Sequence, residues 1–119
     1  MGLDRIVGSF VVEVGFRQAW PFLGLADNRP AVARETRLYI DSTWTITTAT
    51  AVAGGADEGL AWLTAAIAMN GETIHTARVD DGVLALTTIS GIELVVSNEP
   101  QPYTAGEPWR LSGWRDAAY

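Results

Sequence analysis

The sequence predicts an α+β fold: a single domain over residues 1–119, with a mostly antiparallel sheet of about seven strands packed on one apolar helix near residues 58–69. Three observations carry this expectation. Segments rich in Val, Ile, Thr and aromatic residues recur between Gly, Asn and Asp turns. One stretch alone has helical start and stop signals, and the resulting order is βββαββββ. A chain of 119 residues, 48% of them apolar, is also long enough to bury a core without disulfides to staple it.

Residues 6–16 read as a buried strand, because apolar residues occupy both parities. The following "RQAWPFLGLADNRPAVARE" reads as a connection punctuated by Pro, Gly and Asn, with Trp20, Phe22, Leu23 and Leu25 embedded in it. Residues 37–40 and 44–52 read as two strands separated by a bend at Asp41-Ser42-Thr43, the second alternating as a half-buried strand should. The helix takes Asp57 as its N-cap, with Glu58 in the first turn and Asn70-Gly71 as a left-handed stop. Its body from 60 to 69 has a single polar residue, Thr64, where a surface helix should show a polar face. Such a helix is either covered on most sides or meets another chain.

Residues 73–79, 83–88 and 92–97 read as a three-stranded meander, and a short strand around 109–111 closes the chain. The run "DDGVLALTTISGIELVV" fixes the meander's register. A two-residue type I′ turn at Asp81-Gly82 pairs Val79 with Leu84 and Ala77 with Leu86. A three-residue turn with Gly91 in the left-handed bulge position pairs Thr88 with Ile92, Leu86 with Leu94 and Leu84 with Val96. Together these turns keep one apolar face across three strands. The acidic pair Asp80-Asp81 is therefore turn chemistry, and His75 is turned toward the buried side.

Composition excludes several function classes. There is no Cys, so thiol chemistry and cysteine-bound metal are out. The formal net charge is −6, and the eight basic residues, all Arg, are scattered singly, so no cluster exists to displace counterions from a nucleic acid. The absence of Lys beside abundant Ala, Gly, Val and Thr suggests a GC-rich bacterial genome. The first residues lack the sections of a signal peptide, and no apolar run reaches membrane-spanning length, so a cytoplasmic protein is expected.

No catalytic constellation emerges. His75 is the only histidine, no Ser sits in a G-x-S-x-G elbow, and "GGADEG" ahead of the helix lacks the Lys of a phosphate loop. No metal-ligand spacing is present, and no catalytic, metal or cofactor residue is expected. What stands out is five Trp in 119 residues. Trp20, Phe22 and Leu23 beside Pro21, together with Trp62 on the apolar helix, are the candidate partner-binding residues, because aromatics anchor interfaces.

From the hairpin onward, "DDGVLALTTISGIELVVSNEPQPYTAGEPWRLSG" resembles the C-terminal signature of small bacterial domain families of uncharacterised function, frequent in actinobacteria. The matching positions are Asp81-Gly82, Leu84, Leu86, Gly91, Leu94, Val96, Glu107, Trp109, Leu111 and Gly113, the last four as a "yEaW.l.G" tail. The order of elements upstream extends the resemblance over residues 35–113. It implies a fold more than a function, since these are turn glycines and core hydrophobes. Some such families include presumed immunity proteins, which would imply stoichiometric protein binding.

The expected function is thus that of a non-enzymatic protein-binding module or accessory factor, immunity-like if the resemblance extends to function, with no cofactor and with another protein, or a second copy of the chain, as partner. The alternative is a homo-oligomeric structural protein. A ligand binder or enzyme using His75 comes third.

Overall fold

The computed structural model describes residues 3–18, 20–27, 34–55, 59–99 and 106–116. They form two antiparallel sheets and one helix. In the first sheet β1 (Phe10–Arg17), β2 (Trp20–Asp27) and β3 (Arg34–Ile40) lie side by side. In the second, β4 (Trp44–Thr47) lies between β5 (Val52–Gly55) and β8 (Glu93–Val96), and β7 (Val83–Thr88) and β6 (Ile74–Asp80) follow. Two short strands, β9 (Trp109–Leu111) and β10 (Arg115–Asp116), return to pair with β3. Helix α1 (Gly59–Ala66) continues as a 3-10 turn, Ile67–Met69. No helix among the described residues is long and apolar enough to cross a membrane.

The α+β class, the antiparallel pairing and the single helix are as the sequence predicts. The additional strands come from three places. The largest is β2, where a connection is expected. Pro21 and Gly24, which read as breakers, are accommodated by their neighbours. Pro21 stands near the start of the strand, opposite Phe16. Gly24 faces Glu13, where a Cβ would lie 2.6 Å from the Glu13 Cγ. Its missing side chain is the room in which Glu13 lies. The second is β5, because residues 44–52 are not one strand. The Thr48 hydroxyl accepts the Ala51 N–H at 3.2 Å and the chain folds back. The third is β10, beyond the last expected strand.

The bend at 41–43 carries the chain from one sheet to the other, and both sheets share one core. Leu23, Leu25, Leu38 and Ile40 of the first sheet meet Trp44, Ile46, Leu84, Leu86, Leu94 and Val96 of the second in a single buried cluster. A seam of hydrogen bonds joins the sheets: Val11 N donates to Glu72 O at 2.9 Å, and Ile74 N to Ser9 O at 2.8 Å.

The meander has the expected register. Asp81 and Gly82 both have positive φ, 50° and 79°, as a type I′ turn requires. Val79 pairs with Leu84, Leu86 with Leu94 and Leu84 with Val96. Thr88 and Ile92 close the second turn around Gly91 at φ 98°. His75 departs from its expected place. A register shift between Ile74 and Thr76 sets Ile74, not His75, opposite Thr88. A bulge of this kind reverses side-chain parity, so Ile74 enters the core and His75 is exposed. Gly71, at φ 83°, provides the left-handed turn expected after the helix. The expected caps Asp57 and Glu58 lie outside the described residues.

Candidate docking face

Three of the four candidate partner-binding residues are buried inside the fold. Leu23 lies on the inner face of β2 and Trp62 on the inner side of α1, both fully buried. Trp62 Nε1 donates to Gly15 O at 2.8 Å, tying the helix to β1. Phe22 points outward from β2, yet it is covered. It lies over Gly15, where a Cβ would stand 2.3 Å from the Phe22 Cζ. The Arg37 guanidinium lies 4.3 Å above its ring, and Tyr39 stands beside it at 5.6 Å between centroids. Arg110 in turn lies 4.6 Å over Tyr39. Arg37 is held protonated more firmly than an ordinary guanidinium, first by donating to Tyr39 Oη and further by the Glu13 carboxylate. Trp20 alone remains half-exposed, at a small cleft shared with Tyr39 and Arg110.

The exposed apolar surface lies one side-chain row away from Trp62. Trp62, Ala66 and Met69 face the core at helical spacing. The same spacing turns Leu60, Leu63 and Ile67 outward. Leu60 is 80% exposed and Ile67 59%. Ala61, Thr64 and Ala68 fill the rest of the outer face, so α1 presents no charge to solvent. Beside it runs an apolar groove of about 600 Å³ between α1 and the edge of the second sheet, floored by Trp44 and Ile46 and flanked by Ala53, Leu60, Ala65 and Ala68. No charged side chain lines it. Among the described strands β5 pairs only with β4, which leaves its other edge open. Val52, on the outer side of β5, is 70% exposed.

The helix's lack of a polar face is visible in the sequence, but its exposed row is Leu60, Leu63 and Ile67, and Trp62 faces inward. Trp62 is the largest side chain on α1, and Trp44 offers it an edge-to-face partner inside. The weaker signal was the stripe Leu60, Leu63, Ile67. His75, exposed on β6, lies outside the lining of this groove, and no three acidic or imidazole groups among the described residues come together to hold a metal.

No protein-family model matches the chain, and no curated protein or solved structure is significantly similar to it.

Proposed function

We propose that this protein is a cytoplasmic, non-enzymatic module that self-associates, docking through the outer face of α1 and the adjoining β5 edge. One observation carries the reading. Leu60, Leu63 and Ile67 are exposed as one stripe beside an apolar groove free of charge, on a chain of net charge −6. Burying a side chain such as Leu from water contributes about 1.5–3 kcal/mol, so a stripe left open is a standing driving force for association. Nucleic acid is a poor partner for a chain of net charge −6 whose apolar groove carries no charged side chain.

The occupant favoured by these features is a second copy of the chain. Two acidic copies repel, and an uncharged face is where they can meet without bringing like charges together. The open β5 edge adds backbone groups that a symmetry-related β5 can pair.

The absence of cysteine makes a direct test simple. A Leu63→Cys variant should form a disulfide-linked dimer on mild oxidation, because Leu63 is at the middle of the stripe, where the two-fold axis of a contact through α1 passes nearest. Ile89→Cys, at an open hairpin turn where Ile89 is 70% exposed, should not. Equal cross-linking of both variants, or of neither, counts against a contact through α1.

A further inference from the structure

Strand β9 leaves an edge open on the first sheet. Its phase on β3 is fixed by two backbone bonds: Asp41 N–H donates to Pro108 O at 2.7 Å, and Ser112 N–H to Arg37 O at 2.9 Å. Between them Tyr39 stands opposite Arg110, so Pro108, Arg110 and Ser112 are the residues whose backbone turns toward β3. Trp109 and Leu111 therefore turn their N–H and C=O groups the other way, and among the described strands β9 pairs with β3 alone. Proteins blunt such edges with charge. Arg110 is the one charged residue of β9, and its guanidinium is drawn away over the Tyr39 ring, 4.6 Å from the centroid.

Residues directly opposite one another share a face, so Trp109 and Leu111 lie on the inner side of the sheet with Ile40 and Leu38. On that side a cavity of about 700 Å³ opens between β9 and the tip of the β6–β7 hairpin, walled by Leu3, Val79, Trp109, Leu111 and Trp114. Val79 is 42% exposed there although its strand partner Leu84 is fully buried. A strand laid against β9 sends every second side chain to the inner face, where this cavity lies. Open backbone groups beside an apolar pocket are the two parts of recognition by strand addition. Main-chain bonds hold the peptide, and the pocket selects its alternate side chains.

The same features define the occupant. A second copy does not fit, because an antiparallel pairing of β9 with itself, centred on the strand, sets Arg110 directly against Arg110. The net charge of −6, and Glu107 at the mouth of the cavity, favour a basic partner over an acidic one. We propose that the β9 edge binds an extended segment of another protein as an added antiparallel strand, with large apolar residues at alternate positions entering the cavity and lysine or arginine flanking them.

The probe is the peptide acetyl-Lys-Phe-Thr-Leu-Lys-amide, in which Phe and Leu share the inward parity and Thr lies opposite Arg110. In the ¹⁵N-labelled full chain, saturating peptide should slow hydrogen exchange at the Trp109 and Leu111 amides by about tenfold or more. Arg110, whose amide is already bonded to β3, should change little. N-methylation of the peptide's Phe and Leu removes the donors that face β9 and should weaken binding by about tenfold or more. N-methylation of Thr, whose N–H points away, should weaken it by less than about threefold. Val79→Trp, a change on the cavity wall, should weaken binding by about tenfold. Failure of the peptide to bind at millimolar concentration, equal effects of the two methylation patterns, or protection confined to α1 and β5 would overturn the proposal. So would a Val79→Trp variant that binds as well as the wild type.

Discussion

Trp44 and Trp62 meet edge to face, their ring centroids 5.2 Å apart and their planes at 78°. This contact joins the second sheet to α1, and the Trp62 indole bond to Gly15 O joins α1 to the first sheet. One side chain thereby sets the position of the helix on both sheets, and with it the direction in which Leu60 and Ile67 point. Trp62→Ala should therefore destabilise the fold by about 3–5 kcal/mol, as large aromatic truncations in cores do. Trp62→Phe keeps a ring but loses the donor to Gly15 O, and should lose about 1–3 kcal/mol. Urea denaturation of both variants checks this, and a Trp62→Phe protein as stable as the wild type would remove the indole bond from the account.

Gly15 and Phe22 form a slot and its occupant. A methyl at position 15 would stand 2.3 Å from the Phe22 Cζ, so Gly15→Ala should cost about 1–3 kcal/mol by overpacking. In a Phe22→Leu background the same change should cost much less. A double-mutant cycle with no coupling between the two positions would show that the strain is relieved elsewhere.

The hairpin tip is sensitive at one residue and tolerant at its neighbour. Gly82 has φ 79°, and a Cβ there would also come 3.1 Å from Asn98 Cβ. Gly82→Ala should lose roughly 1–2 kcal/mol from the left-handed conformation alone. Asp81→Asn, which suits the same turn, should stay within about 0.5 kcal/mol of the wild type. Thermal melts of the two variants distinguish these outcomes.

His75 is exposed at a bulge, so His75→Ala should change stability by less than about 0.5 kcal/mol. A loss several times larger in the same denaturation assay would return the imidazole to a structural role.

What the sequence reveals tracks how local the deciding interaction is. The β6–β8 meander is legible because each register is set by a turn of two or three residues and by the parity of Leu84, Leu86, Leu94 and Val96. The exception, His75, lies where one extra residue at the bulge reverses that parity, an event with no local marker. Strand β2 is hidden because Pro21 and Gly24 act as breakers only until β1 supplies Phe16 and Glu13 beside them. The candidate docking face is half legible: α1's apolar body announces it, but which row faces out depends on Trp44, far away in the chain.

Light scattering at micromolar concentration tests the central claim most directly. Leu60 and Ile67 are exposed, so the paired substitution Leu60→Glu with Ile67→Glu leaves the core untouched while adding charge to the face that two copies would share. The wild-type protein should scatter at twice the monomer mass and the double variant at the monomer mass, with unchanged circular dichroism. A monomeric wild type, or a dimer that survives both substitutions, would contradict self-association through α1.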